Sequence, residues 1–432
     1  MTAAHRWTYL LLAAVVAATA CSGRAPGGGA TDGQDGAPAS ASGQVISAAA
    51  SDLTGFWSAE LPRRGGPRFV PAPGPPVQLG EGSSVRCGDQ TVRWSEIRGN
   101  ALYCPQTDRI AIDGQGLASD LLRRFSPLGL AAVVAHEYGH AVQRRLEHLD
   151  VPPIVRELQA DCLAGAWLGS LRSEPTPSFA PDDDQLALPL VAVTTLRDRL
   201  GTDPAAGEAH GSGFDRLVAL LDGIDRGAAR CLEYEQRPPA LTAQPFLSDT
   251  DRANAGEQPF HVTLASAAAD LNDHYNGVAA AAGEQWVPLR LELGSTAGCA
   301  QGQQPSADQP LVTCGDTSVA VAVQFLGGVA GLGDMALAAE LGRQWALEAT
   351  RLAPRTLPPT QATVECLTGY WVGTLHPNAP NRAATRQLRL SPGDLDEVAV
   401  AILTAALPAP LDRLRAFHRG FTDGLAACRV PN

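Results

Sequence analysis

The 432-residue sequence contains no lysine, so all 33 of its basic residues are arginines. Together with abundant Ala, Gly and Pro, this indicates a coding bias and says nothing about chemistry. Acidic residues number 45, which gives a net charge of −12. Such a charge argues against the positively charged surface that is typical of proteins that bind nucleic acids or anionic membranes. Beyond the N-terminal region, no stretch approaches the roughly 18 uninterrupted apolar residues that a membrane-spanning helix needs.

Residues 1-20 are predicted to be a signal peptide of the lipoprotein type. His5 and Arg6 precede an apolar run over residues 7-20, which is too short for a stable spanning helix but typical of a signal-peptide core. The run ends in Ala18-Thr19-Ala20-Cys21, which resembles a bacterial lipobox with Ala18 in place of the usual Leu. Lipidation of Cys21 would make it the mature N-terminus. Ordinary secretion, with Cys21 unmodified, is the alternative.

Residues 21-49 are predicted to be a flexible tether, because Gly, Ala, Ser and Asp offer almost nothing to bury. With a lipid on Cys21, the tether would hold the folded part at the extracytoplasmic face of the cell membrane.

The remaining eight cysteines are predicted to form four disulfides. An even number in an exported chain favours disulfides, since the compartment outside the cytoplasm is oxidising; buried free thiols are the alternative. The spacing between successive cysteines repeats as short, long, long along the chain. That repeat predicts the following pairs: Cys87 with Cys104, Cys162 with Cys231, Cys299 with Cys314, and Cys366 with Cys428.

An internal repeat is also visible in the residues themselves. The segment 162-171, CLAGAWLGSL, returns 204 residues later as 366-375, CLTGYWVGTL, with six of ten positions identical. The tripeptide Asp-Arg-Leu lies sixteen residues before Cys231 and again sixteen before Cys428. We therefore expect two homologous halves, 50-238 and 258-432, joined by a Pro-rich and polar linker over 239-257.

A metal-binding motif lies in the first half. Residues 136-140 read His-Glu-Tyr-Gly-His, an H-E-x-x-H sequence. Ser126-Pro127 is typical of a helix start, and Pro152-Pro153 prevents the helix from continuing. On such a helix, His136 and His140 lie one turn apart and can bind one metal ion, while Glu137 is placed to take a proton from water. The alternative is an amphipathic helix whose histidines only make hydrogen bonds.

A catalytic zinc needs a third protein ligand. No further His follows His140 at the position that metzincins use, so we expect a carboxylate from the next helix, which begins at Pro153. Glu157 and Asp161 share one face of that helix. We expect Glu157 to bind zinc and Asp161 to hydrogen-bond a ligand histidine and fix its orientation. Two helical carboxylates on a solvated face are the alternative.

Four motifs in order resemble the bacterial neutral zinc metallopeptidase family, over about residues 85-235. They are 99-105 (GNALYCP), 134-140 (VAHEYGH), 157-167 (ELQADCLAGAW) and 210-216 (HGSGFDR). The resemblance implies a gluzincin-like enzyme with one zinc on His136, His140 and Glu157, and with Glu137 as the general base.

Two further features have open roles. His210 is a candidate donor to the tetrahedral oxyanion, or else a capping or structural histidine. Segment 101-112 is predicted to form two short strands around a turn at residues 105-108. Its edge could pair with an extended peptide substrate, or it could be an ordinary hairpin.

The second half is predicted to lack the chemistry. The offset of 204 places Glu340, Gln344 and Gln361 where the first half has its three zinc ligands, and Glu365 where it has Asp161. The expected fold is α+β, a mainly helical zincin-like domain with a small sheet, duplicated as a degenerate and catalytically inactive copy. The expected function is that of an envelope-anchored zinc peptidase acting on peptides or proteins. The alternative is a non-catalytic envelope scaffold with a structural zinc.

Overall fold

The computed structural model describes residues 40–147, 151–207, 209–294, 299, 304–307, 309–315, 317–353, 355–379 and 388–429. The predicted signal peptide, Cys21 and the tether up to residue 39 lie outside the described residues. Within the described part of the chain, no helix is long and apolar enough to cross a membrane. The fold is mixed α/β and mostly helical, which agrees with the expected α+β class.

The first half packs helices around a small sheet. Its helices are α1 (Ala41–Arg63), α2 (Trp94–Ile97), α3 (Leu117–Arg145), α4 (Pro153–Ser170), α5 (Ala187–Thr194) and α6 (Gly213–Leu232). Its strands are β1 (Val77–Leu79), β2 (Ser84–Cys87), β3 (Gln90–Arg93), β4 (Ala101–Cys104) and β5 (Arg109–Asp113). The sheet has the order β1-β5-β4, with β1 parallel and β4 antiparallel to β5, while β2 and β3 form a separate hairpin. The predicted pair of strands around residues 105-108 is confirmed, and β4 is an edge strand.

The boundary between tether and folded part was predicted too late in the chain. Helix α1 begins at Ala41, inside the predicted tether of 21-49, and Ser40 caps it by accepting a hydrogen bond from the backbone N–H of Gly43. Ile46 and Ala49 are buried in the main core. The small residues that suggested a tether instead allow close packing of α1 against its neighbours.

Helix α3 carries a break where the sequence predicted its start. Phe125 and Ser126 have non-helical backbone angles, with a φ of 66° at Ser126, and Pro127 follows. The segment after the break is the predicted helix, but a further helical stretch from Leu117 precedes it. Because Pro127 has no N–H to donate, the interruption costs little at this position.

The second half repeats the element types of the first. The linker region contains α7 (Asp249–Ala253), and the elements after it are α8 (Phe260–Ala282), β6 (Arg290–Leu293), β7 (Leu311–Cys314), β8 (Ser318–Val321), α9 (Gly327–Ala330), α10 (Asp334–Ala349), α11 (Gln361–Leu375), α12 (Asp394–Thr404) and α13 (Pro410–Asp423). Among the described residues, short 3-10 turns occur at Glu233–Glu235, Val323–Phe325, Thr350–Leu352 and Leu425–Cys428. The sheet has the order β6-β8-β7, with β6 parallel and β7 antiparallel to β8. This is the same arrangement as β1-β5-β4.

The glycines of the sequence repeat lie where two helices nearly touch. A Cβ atom on Gly165 in α4 would lie 2.0 Å from the carbonyl oxygen of Leu220 in α6. A Cβ atom on Gly369 in α11 would lie 2.0 Å from the carbonyl oxygen of Phe417 in α13. Only a residue without a side chain fits at such a distance. The repeated motif therefore serves the packing of one helix pair in each half.

All four predicted disulfides are present. They join Cys87 to Cys104, Cys162 to Cys231, Cys299 to Cys314 and Cys366 to Cys428. In each half the long-range bridge fastens the close helix pair, α4 to the end of α6 and α11 to the turn after α13.

The two halves share one apolar core and form one compact unit from Ser40 onward. Phe214, in the first turn of α6, packs against Phe417 and Phe421 of α13, at ring-centroid distances of 6.4 and 5.8 Å. The backbone N–H of Phe214 donates to Asp396 of α12 at 2.7 Å. If either half were isolated, the part of its surface that packs against the other half would therefore become exposed.

Candidate metal centre

Helix α3 places the two motif histidines on one face. His136 and His140 stand one turn apart, with their ring centroids 4.8 Å apart and their planes nearly perpendicular. Gly139 lies between them, and a Cβ atom there would lie 2.8 Å from the backbone of Ala160 in α4. This glycine lets α4 approach the histidines closely.

Helix α4 brings the predicted third ligand to the histidines. Glu157 Oε2 lies 3.4 Å from Nε2 of His136 and 3.5 Å from Nε2 of His140. One ligand atom from each of the three residues lies within 4.8 Å of the others. The sequence prediction therefore names three residues that the fold does bring together.

Hydrogen bonds on the outer side of each ring fix its direction. Nδ1–H of His136 donates to Asp161 Oδ1 at 2.7 Å, as the sequence predicted for Asp161. Nδ1–H of His140 donates to Gln143 Oε1 at 2.9 Å, and Gln143 Nε2 in turn donates to Gln159 Oε1 at 3.0 Å. Both Nε2 atoms are thereby left free to face Glu157, the arrangement typical of metal-ligating histidines.

Two residues of this outer network were missed by the sequence analysis. Gln143 was not assigned a role, although its place three residues after His140 puts it on the same face of α3. Arg216 was noted only as part of the repeated Asp-Arg-Leu and of the motif 210-216, without a role, yet it binds both oxygens of Asp161 at 2.8 and 2.9 Å. The recurrence of that tripeptide at the same distance from a cysteine was the available signal, since a charged residue kept at the same place in both halves needs a structural reason.

The electrostatics of the site follow from burial and these contacts. Burial alone would lower the pKa of His136, but the charge of Asp161 outweighs it and raises that pKa to about 10. Burial would raise the pKa of Glu157, but the facing imidazoles of His136 and His140 hold it well below its ordinary value. The site thus favours the ionised form of Glu157 and makes the imidazole of His136 strongly basic.

Glu137 projects into the same site without taking part in this network. Its side chain is only 5% exposed and makes no hydrogen bond to any described residue. Burial raises its pKa above that of an ordinary glutamate, while the two histidines oppose the shift. A carboxyl group in this state is suited to accept a proton during a reaction.

The site opens into a cavity of about 740 Å³. One wall is α3, another is the segment 98-103 that ends in edge strand β4, and a third is the loop 195-199. His210 also lines the cavity, with its side chain 45% exposed and Nδ1 3.4 Å from Asp198 Oδ1. The backbone N–H groups of His210 and Gly211 donate to the other oxygen of Asp198, which fixes the loop.

The residues present fit a zinc ion. Glu157 Oε2 is buried and has no hydrogen-bond partner, although it faces two imidazole nitrogens whose other nitrogens are already bonded. Buried carboxylate oxygens are rarely left without a partner, so this atom is available to bind a metal ion. Two imidazoles and a carboxylate form a typical donor set for catalytic zinc.

The corresponding positions in the second half hold a different network. Arg343 of α10 lies at the counterpart of Gly139, and its guanidinium contacts Glu340 at 2.5 Å and Glu365 at 3.0 Å. Arg413 also donates to Glu365, at 2.6 Å, as Arg216 does to Asp161. The arginine–carboxylate contact between the paired helices is therefore common to both halves, while the surroundings of the metal-ligand positions differ.

Comparison of the chain with family models, with curated proteins and with solved structures found no match.

Proposed function

We propose that the chain is a zinc-dependent peptidase. The observation that carries the proposal is the unpartnered, buried Glu157 Oε2, which faces Nε2 of both His136 and His140 beside a large cavity. Zinc bound by these three residues would polarise a substrate carbonyl and make water more acidic. We accordingly interpret the first half as a zincin-like domain.

The roles of the chain's own residues follow from their positions. Glu137, buried and free of hydrogen bonds, would take a proton from the attacking water as its oxygen bonds to the carbonyl carbon. It would then give that proton to the amine as the carbon–nitrogen bond breaks. Asp161 and Gln143 hold the histidines, so the ligand positions need little rearrangement during the reaction.

The substrate is proposed to be an extended peptide. Strand β4 forms one wall of the cavity and pairs with no described strand on its outer edge, so a peptide could pair with it and lie across the site. His210 lies on the cavity wall and is partly exposed, which keeps it a candidate donor to the oxyanion.

A scaffold with a structural zinc is the competing function. Structural zinc sites are usually closed by four protein ligands, whereas the group identified here among the described residues has three and opens into a cavity. The presence of Glu137 beside the site also favours catalysis, because a structural site has no need of a buried, unpaired carboxyl group.

The second half is proposed to be a degenerate copy of the first. The matching sheet order, the matching glycine contacts between paired helices and the shared arginine–carboxylate contact support a common origin. Arg343 between Glu340 and Glu365 supports an inactive counterpart of the site, since a guanidinium there opposes a second cation.

Export to the extracytoplasmic face of the membrane, with a lipid on Cys21, is part of the same proposal. The four disulfides support an oxidising compartment.

The decisive experiment is digestion of a broad peptide library by the zinc-loaded protein beside its Glu137→Gln variant. We expect the variant to keep its zinc and to lose roughly 10²- to 10⁴-fold in rate, the usual cost of removing a general base. Glu81→Gln, at an exposed position outside the cavity, is the matched control and should cleave normally. A zinc-loaded protein that cleaves nothing, or a Glu137→Gln variant that cleaves at the original rate, would contradict the proposal.

A further inference from the structure

A second group of converging acidic side chains lies in the other half of the molecule. Glu257 precedes α8, Asp334 is the first residue of α10, and Glu397 lies in the first turn of α12. One carboxylate oxygen from each lies within 4.8 Å of the others. Asp394, at the start of α12, is buried and adds a fourth carboxyl group next to them.

The backbone holds one oxygen of each of the three carboxylates. Glu257 Oε2 accepts from the N–H of Asp334 at 3.0 Å, and Asp334 Oδ2 accepts from the N–H of Gln258 at 3.0 Å. Glu397 Oε2 accepts from the N–H of Met335 at 2.9 Å. The positions of the carboxylates are therefore fixed by the fold, and Asp334 keeps a second oxygen for another ligand.

The second oxygen of Asp334 is Oδ1. It is buried, has no hydrogen-bond partner, and belongs to a residue only 9% exposed. None of the described arginines forms a salt bridge with Glu257, Asp334, Asp394 or Glu397. A buried, unpaired oxygen beside other acidic groups is costly unless a cation or a proton compensates it.

The backbone beside the cluster is shaped to admit Glu397. Gly333 has a φ of 143°, and a Cβ atom there would lie 1.9 Å from the carboxyl carbon of Glu397. Any side chain at this position would displace the glutamate. The glycine is thus required for the close approach of the three carboxylates.

We propose that Glu257, Asp334 and Glu397 form a calcium site that fastens the segment before α8 to the first turns of α10 and α12. Oxygen is the only donor type in the cluster, which favours a hard cation over zinc. Calcium accepts six to eight oxygen ligands in irregular geometry, whereas magnesium demands a near-ideal octahedron. Glu257 is exposed, so water can complete the coordination from its side.

The test is equilibrium dialysis of the full chain, loaded with zinc, against radioactive Ca²⁺. We expect one calcium per chain with a Kd of about 10⁻⁴ to 10⁻³ M, the range of extracellular calcium modules. Glu397→Gln should weaken binding at least tenfold, by removing a ligand charge. Asp249→Asn, an exposed acidic residue in the first turn of α7, is the matched control and should bind calcium normally.

A second measurement keeps the test decisive if Glu397→Gln fails to fold. Glu257→Gln changes an exposed residue and should also reduce calcium affinity. At ten times the Kd, calcium should raise the Tm of the original protein by about 2 °C and have a smaller effect on either variant. No calcium binding up to about ten times the upper Kd expected, or equal binding by both variants and the original, would overturn the proposal. Zinc content and peptide cleavage are separate readouts, so failure here leaves the peptidase proposal standing.

Discussion

Arg216 binds both carboxylate oxygens of Asp161, at 2.8 and 2.9 Å, with both side chains almost wholly buried. Arg216 also donates from its third nitrogen, Nη1, to the carbonyl oxygen of Leu196, in the loop that lines the cavity. Since Asp161 in turn accepts from His136, a residue of α6 fixes the orientation of a proposed metal ligand on α3 through the carboxylate that lies between them.

Replacement of Arg216 by lysine should therefore weaken zinc binding. Lysine keeps the charge but cannot hold both oxygens of Asp161, so His136 loses part of its orientation. We expect the zinc affinity to fall roughly 10- to 100-fold, as for other changes to residues that orient metal ligands, measured by competition with a chelator. Arg415→Lys, which changes a similar two-oxygen contact to Asp225 at the interface of the halves, is the control. Equal zinc affinity for both variants would show that Arg216 has no role in positioning.

Metal analysis should find about one zinc per chain, bound by His136, His140 and Glu157. Removing one of two imidazoles leaves a donor set too weak to retain the ion, so His140→Ala should lose most of its zinc. His210→Ala is the matched control, because His210 lines the same cavity but lies outside the ligand group. Full zinc content in His140→Ala would disprove the proposed ligand set.

Local sequence signals predicted the parts of this site that lie within one or two turns of helix. The four-residue spacing of His136 and His140, and the proline that starts α4, are sufficient to place both histidines and to suggest Glu157. The role of Arg216 could not be predicted in this way, because it contacts Asp161 across 55 residues of sequence.

The fold shows the same distinction between local and long-range information. The repeated cysteine spacing predicted all four disulfides, since pairing in one half constrained the pairing in the other. The start of α1 was missed, because the small residues of 41-49 carry little apolar signal until Ile46 and Ala49 are packed against the rest of the core. Burial of that segment depends on distant partners, which its composition does not reveal.

The glycines of the repeat should be sensitive to the smallest side chain. Gly165→Ala would place a methyl group 2.0 Å from the carbonyl oxygen of Leu220, so α4 and α6 would have to separate. We expect a loss of about 1–3 kcal/mol in the free energy of unfolding, or more, measured by denaturant titration. Gly55→Ala is the control: Gly55 lies inside α1 with no atom near the new methyl group, and should gain about 0.5–1 kcal/mol. If Gly165→Ala left the free energy of unfolding unchanged, α4 and α6 would have to lie farther apart than the structure places them.

Cys21→Ser should release the protein from the membrane fraction. No helix among the described residues can span a membrane, and the predicted anchor is the lipid on Cys21. The measurement is fractionation of cells followed by detection of the chain in soluble and membrane fractions. Cys21→Ser protein that stays tightly bound to membranes would argue against lipidation, and ordinary secretion would be supported if the original protein is soluble as well.

The long-range disulfide of the second half should contribute more to the free energy of unfolding than its short-range one. Neither disulfide should affect the zinc content of the chain. The bond between Cys366 and Cys428 closes a loop of 62 residues, against 15 for Cys299 and Cys314. Loop-closure entropy predicts losses of about 4 and about 3 kcal/mol when each pair is replaced by alanine. Denaturant unfolding of the two double variants measures the difference, and metal analysis of the same samples measures their zinc content.

Because the proposed ligands lie in the first half, both variants should keep one zinc per chain while folded. Zinc loss in a folded double variant would show that the second half takes part in metal binding, contrary to its interpretation as an inactive copy.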